Sequence, residues 1–175
     1  RKENSIFKFK DGIINVGESL VSTIKKNSIK YELLKTTDIN SDEVYLAMLK
    51  HEVSLVLVSV YAGQILREKI LSLKKKYLHI HGGVLPDYRG STTMYYSLLQ
   101  KNKVGATALF MNKGIDTGDI VCSREYNVEF DAKLLDLIYD PLIRSDVLIE
   151  ALKLFKDKNP KTKKQNKSKG DDYYV

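Results

Sequence analysis

Residues 53–60 read Val-Ser-Leu-Val-Leu-Val-Ser-Val, an almost unbroken apolar run rich in β-branched side chains. A run this short and this branched reads as a parallel strand covered on both faces, at the centre of a sheet. Tyr61-Ala62-Gly63 follows as a loop, Gln64–Leu73 has a helical pattern, and Tyr77–His81 reads as the next strand. Strand, helix and strand in succession imply an α/β domain with a mainly parallel sheet and helices on both faces.

The rest of the chain fits that class. Ser5–Val16 reads as a hairpin turning at Asp11-Gly12. Ser19–Lys26 reads as a helix and Ile29–Leu34 as a strand. Ser41 caps a helix over Asp42–Lys50, with Val44, Ala47 and Met48 facing inward. Ser91–Leu99 is expected to be helical, capped by Ser91 or Thr92. Strands are expected over Val104–Met111 and Ile120–Val128. Ala132 to about Lys158 is helical in pattern, with a break or kink at Asp140-Pro141.

The net charge of +7 is a regional property. Eight lysines and one acid between Lys153 and Gly170 account for all of it. A basic face on the folded body, as a nucleic-acid partner would require, is not indicated. Residues 1–157 read as one catalytic domain, 158–172 as a lysine-rich mobile loop or tail without apolar residues, and 173–175 as the start of a strand cut short. No apolar run reaches the roughly 18 residues of a membrane span, and no signal-peptide pattern is present. A single cysteine, Cys122, fits a reducing compartment, hence a cytoplasmic setting.

Two glycine-framed strand ends carry the chemistry. His79 and His81 alternate on one face of the strand that stops at Gly82-Gly83. Ligands of open α/β sheets bind at such carboxyl ends. Gly114-Ile115-Asp116-Thr117-Gly118-Asp119 supplies two carboxylates, which in isolation read as turn formers. A His-x-His pair with a third ligand from Asp116, Asp119 or His51 would also suit zinc. With no further histidine and no ligand-spaced cysteine, no metal ligand set is assigned. Arg89 reads as a surface residue or as a clamp on a carboxylate or on backbone carbonyls.

His79-Ile80-His81-Gly82-Gly83-Val84-Leu85-Pro86-Asp87-Tyr88-Arg89-Gly90, followed by Gly114-Ile115-Asp116-Thr117-Gly118-Asp119, resembles the core motif of the folate-dependent formyltransferases. That motif runs Asn-x-His, a small-residue turn, Leu-Pro-x-x-Arg-Gly, and later Leu-Asp-x-Gly. His79 stands at the family's Asn position. The resemblance implies a Rossmann-like fold, here with its N-terminal unit incomplete. It also implies transfer of a formyl group from 10-formyltetrahydrofolate to an amine. On that basis His81 and Asp116 are the catalytic pair, and His79 can replace the Asn amide as an oxyanion donor only with a ring N–H, neutral or cationic, aimed at the oxygen. Tyr61, Ala62, Gly63, Ile65 and Leu66, with Leu85, are the expected folate-binding residues.

The acceptor is expected to be a small amine, with an amino sugar carried on a nucleotide favoured. The family also leaves tRNA open, without the appended domain of the methionyl-tRNA enzymes. No phosphate-binding glycine loop of the glycinamide ribonucleotide type is visible. The alternatives from other classes are a metal-dependent hydrolase built on the His-x-His pair and a folate-binding domain without turnover.

Overall fold

The computed structural model describes residues 6–9, 12–15, 17–61, 63–127, 132–157, 160–166 and 169–173. The chain divides into two compact units after Lys35.

In the first unit, strands β1 (Ile6–Phe9) and β2 (Gly12–Asn15) pair antiparallel, with Phe9 opposite Gly12. The connection is therefore residues 10–11, outside the described residues, and Gly12 is a strand residue rather than the expected turn residue. Helix α1 (Leu20–Lys26) starts at Ser19, whose Oγ accepts from the Ser22 amide at 3.2 Å. Ile29–Leu34 forms no strand. Ile29 and Leu33 are exposed there, so the apolar alternation has no buried face to organise it.

The second unit begins with helix α2 (Asp42–Lys50), capped by Ser41, whose Oγ accepts from the Val44 amide. Val44 and Met48 pack against a buried cluster of Val58, Leu66, Ile70 and Tyr77. Strand β3 (Leu55–Val58) is followed by helix α3 (Glu68–Leu71), a single turn where ten residues were expected. The preceding residues are held elsewhere. The Arg67 amide donates to Asn40 Oδ1 at 2.7 Å, and Gln64 Nε2 donates to the Thr37 carbonyl at 3.0 Å.

Strand β4 (Lys76–His81), the short β5 (Tyr88–Gly90), helix α4 (Thr93–Lys101) and strands β6 (Val104–Phe110) and β7 (Ile120–Tyr126) complete the centre. The sheet order is β3-β4-β6-β7. Only β3 and β4 are parallel; β4 pairs with β6, and β6 with β7, antiparallel. The sheet is thus mixed rather than mainly parallel. The loop between β6 and β7 explains part of this. The Phe110 amide donates to the Asp119 carbonyl across its base, and such a short closure delivers an antiparallel neighbour.

The apolar run at 53–60 occupies an edge of this sheet, with Leu57 half exposed, not its centre. The buried strand is β6, where Val104–Leu109 are buried without alternation, so both sheet faces are covered there. Ile143, Val147 and Ala151 recur every fourth residue and are fully buried on helix α5 (Asp140–Asp157), which packs against β4, β6 and β7. At Asp140-Pro141 the helical run changes type without being interrupted. A 3₁₀ turn (Ala132–Leu134) and a π turn (Leu135–Tyr139) precede α5, and Pro141 lies in its first turn, where a missing N–H costs nothing.

The lysine-rich segment expected to be a mobile tail is fastened along the body. Lys163 and Ile120 exchange two backbone bonds of 2.8 Å, and strand β8 (Asp171–Tyr173) pairs parallel with β5. The strand expected at 173–175 thus begins earlier, and residues 174–175 lie outside the described residues.

Candidate functional site

A cavity of about 700 Å³ opens beside the carboxyl ends of β3 and β4. The loop after β3 contributes Tyr61, Gly63 and Ile65, while β4 contributes His79 and His81. The Asn112–Asp116 stretch and three α5-side residues, Asp136, Asp140 and Arg144, close it.

His81 is buried, and its Nε2 lies 2.7 Å from the Tyr88 carbonyl oxygen. A carbonyl only accepts, so Nε2 carries the proton, and in the neutral ring Nδ1 is a lone pair. That Nδ1 faces Asp116 Oδ2 at 3.4 Å. The glycine turn makes this possible. A Cβ on Gly83 would lie 2.9 Å from His81 Nε2 and 3.0 Å from the Tyr88 oxygen, wedged into their hydrogen bond. Thr93 Oγ1 and Thr107 Oγ1 donate to the Gly82 and Gly83 carbonyls and hold the turn from outside.

His79 repeats the pattern. Its Nδ1 lies 3.1 Å from the Val58 carbonyl, so Nδ1 holds the proton and Nε2 is the lone pair of the neutral ring. His79 therefore does not offer the N–H that an Asn amide would supply; as a neutral ring it offers an acceptor. In this tautomer the N–H that an oxyanion donor needs arises at His79 only on protonation of Nε2. One ligand atom each from His79, His81 and Asp116 lies within 4.8 Å of the others.

Asp116 adopts a left-handed conformation, φ 51°, and its Oδ2 accepts from the Gly90 amide at 2.9 Å. Asp116 is brought to the histidines by the loop itself. Met111 is bonded beside Tyr77 at the start of β4, and by Asp116 the chain has reached His81 near its end. Asp119 stays outside the cluster, with Thr162 Oγ1 at 3.5 Å.

Burial pushes both imidazoles below their ordinary pKa. Desolvation is the largest cause for each. The Asp116 carboxylate opposes it, and the Arg144 guanidinium reinforces it. Arg144 was not singled out in the sequence. Its Nε donates to Asp140 at 2.6 Å and its Nη1 to the Ile80 carbonyl at 2.9 Å, which places a fixed cation beside both rings. The only sequence signal for it was its spacing four residues after Asp140.

Of the expected folate-binding residues, Tyr61, Gly63 and Ile65 line the cavity. Ala62 lies outside the described residues. Leu66 and Leu85 do not line it. Leu66 belongs to the core under α2, and Leu85 packs with Leu109 and Ile120. Arg89 is buried. It pairs with Asp172 at 2.6 Å and donates to the carbonyls of Lys169 and Gly170, the clamp that its position allowed. No helix among the described residues is long and apolar enough to cross a membrane.

An α/β domain whose candidate site pairs a buried histidine with a loop aspartate at a strand's carboxyl end defines the class. Residues 5–138 match the formyl transferase family model, and the chain belongs to that family. A methionyl-tRNA formyltransferase of Finegoldia magna is 29% identical over 126 residues, which are 70% of this chain and 40% of that protein. The chain thus spans well under half the length of that relative. The solved methionyl-tRNA formyltransferase from Clostridium thermocellum shares the fold with a TM-score of 0.62 and 21% identity, over 86% of this chain and 63% of that one. The formyltransferase PseJ from Anoxybacillus kamchatkensis, solved with UDP-4,6-dideoxy-4-formamido-L-AltNAc and tetrahydrofolate, does so with a TM-score of 0.60 and 20% identity, over 82% and 70%.

Proposed function

We propose that this chain transfers a formyl group from 10-formyltetrahydrofolate to the amine of a small acceptor, an amino sugar carried on a nucleotide being the favoured class. The observation that carries this reading is the His81–Asp116 pair, 3.4 Å apart, at the wall of the cavity beside the β3 loop. The presence of tetrahydrofolate and a sugar nucleotide in the PseJ complex supports both halves of the reading. The compartment proposed with this activity is the cytoplasm, in keeping with a single cysteine.

The chemistry is acyl transfer between nitrogens. The neutral amine attacks the formyl carbon, a C–N bond forms, and the carbonyl electrons move to oxygen. One proton must then travel from the attacking nitrogen to the departing folate nitrogen as the old C–N bond breaks. Neutral imidazoles with lone pairs at His79 Nε2 and His81 Nδ1 are suited to take that proton. At His79 the resulting imidazolium is a donor through Nε2, first toward the oxyanion and then toward the leaving nitrogen. Asp116 stabilises the charged ring at His81 through the Nδ1–H that appears on protonation.

Calorimetric titration with 5-formyltetrahydrofolate, a stable analogue of the donor, tests the cofactor half. Binding in the micromolar range is expected, and no binding by the full chain overturns the reading. A panel of nucleotide-linked amino sugars and charged initiator tRNA then assigns the acceptor. Transfer to the tRNA alone would replace the sugar reading with the methionyl-tRNA one.

A further inference from the structure

The lone pairs that would take a proton in formyl transfer could also hold a cation. Both histidines spend their proton-bearing nitrogen on a backbone carbonyl, His79 Nδ1 on Val58 and His81 Nε2 on Tyr88. The neutral rings therefore keep lone pairs for the remaining nitrogens, beside a carboxylate. We propose that His79, His81 and Asp116 form a binding site for one divalent transition-metal ion, zinc by preference, with an open coordination position toward the cavity.

The His81–Asp116 edge of the cluster fits the ion. In tetrahedral zinc sites the bonds to nitrogen and oxygen are about 2.0–2.2 Å, which sets ligand atoms about 3.3–3.6 Å apart. His81 Nδ1 and Asp116 Oδ2 are 3.4 Å apart, and the His79 ligand atom lies within 4.8 Å of both. Histidine ligands of metal sites characteristically donate their other N–H to a carbonyl or carboxylate, and ligating carboxylates are themselves hydrogen-bonded. Both conditions hold here, the first at His79 and His81 and the second through the Gly90 amide on Asp116 Oδ2. In the neutral state, His81 Nδ1 and Asp116 Oδ2 are two acceptors facing each other, a repulsion that a bound cation relieves. Asp116, Asp136 and Asp140 outnumber the Arg144 guanidinium around the cavity. Two imidazoles and one carboxylate with a vacant position suit zinc and related borderline ions. The open position would take water or an anionic oxygen ligand.

His79 decides the matter, because an Asn there would leave one imidazole and one carboxylate. An ion on these lone pairs would also hold the groups that formyl transfer needs, so zinc and transfer compete.

The full chain is loaded with zinc, freed of excess, and its metal counted by atomic emission. Cobalt(II) then replaces zinc and is read by its visible ligand-field bands. One ion per chain is expected, with tetrahedral-type cobalt bands and a melting temperature raised by zinc. His79→Asn and Asp116→Asn should each weaken zinc binding about a hundredfold or more, while His51→Asn leaves it unchanged. Circular dichroism of each variant shows that it is folded. Asparagine accepts the left-handed conformation at residue 116, which keeps that variant informative. No bound zinc at micromolar concentration overturns the proposal, as does binding that survives both variants or is lost with His51. None of these readouts involves folate, so the formyltransferase reading stands or falls separately.

Discussion

The histidine–aspartate cluster and the strap that follows α5 are held together by opposite means. The two histidines of the cluster and the carbonyl that orients His81 are neighbours along the chain, and a loop delivers Asp116 to them. His79 and His81 sit two residues apart on β4, and the carbonyl that orients His81 belongs to Tyr88, seven residues on. The strap reaches across 83 residues to bring Asp172 to Arg89, and about 47–49 residues to bring Gln165 to the carbonyls of Gly118 and Asp116. The cluster supplies reactive groups. The strap supplies none, but it grips the backbone of the loop that delivers one of them. Chemistry here is local and its positioning is remote, so the two regions should fail differently when altered.

Asp116→Asn should separate them most sharply. Asparagine keeps an oxygen for the Gly90 amide and tolerates φ 51°. It cannot stabilise an imidazolium at His81 by charge. Formyl transfer should fall by about a hundredfold to ten-thousandfold, while unfolding stability changes by no more than about 1 kcal/mol. Steady-state rates beside urea denaturation measure both. A loss of stability comparable to the loss of rate would show that the cluster is as structural as the strap.

Arg89→Met is the reverse experiment. It keeps a long apolar stem but removes the donors to Lys169, Gly170 and Asp172. Asp172 is half exposed and can be hydrated, so the cost comes chiefly from the carbonyls, about 2–3 kcal/mol. Released lysines of the 160s should become early trypsin sites. Gly90→Ala reaches the same strap from its other side. Its φ of 98° favours glycine, and a Cβ would strike the Tyr173 carbonyl oxygen. If Arg89→Met leaves proteolysis unchanged, the strap is held by the stacking of Tyr173 against Tyr88 and Tyr96 instead.

Titration is a probe of the cluster. Both imidazoles have folded-state pKa values below the unfolded value of about 6.5. Between those values the unfolded chain binds more protons, so stability rises with pH through that window. The full contribution is present above pH about 6.5 and is lost as pH falls through the folded values. Chemical denaturation from pH 8 to pH 5 should show this decline. It should be smaller in a His79→Asn variant, and an equal decline would remove His79 from the account.

Local devices were legible in the sequence. Ser41 caps α2, Pro141 marks the start of α5, and His-x-His-Gly-Gly places two imidazoles at a strand end; each depends on residues within a few positions. The apolar run at 53–60 indicated a parallel strand but not its rank in the sheet, because hydrophobicity does not distinguish an edge strand under partial cover from a central one. Strand direction at β6 and β7 depends on how the 111–119 loop closes, which no periodicity encodes. The strap was unreadable for a related reason. Lys-Thr-Lys-Lys-Gln-Asn has no apolar residue, and its order comes from polar bonds to backbone carbonyls far away in sequence. Arg89, whose surroundings suggested a clamp, was the one visible sign of it.

Gln165→Ala joins the two regions and should have the smallest effect. Gln165 Nε2 donates to the Asp116 carbonyl at 2.8 Å and to the Gly118 carbonyl at 2.7 Å, bonding the backbone of the residue whose side chain faces His81. Two such bonds contribute about 1–2 kcal/mol, less where water replaces them in the variant. The Gly90 amide still holds Asp116 Oδ2 and α5 still holds the sheet, so the global fold should keep nearly all its stability. The loss should instead be local, seen as faster amide exchange over residues 114–119 and a few-fold drop in turnover with little change in folate affinity. A variant that loses stability globally, with loop exchange unchanged, would show that the strap props the whole domain rather than aiming Asp116. Unchanged turnover with faster loop exchange would mean that the Gly90 bond alone positions the carboxylate, making the cluster as self-sufficient in its geometry as it is in its chemistry.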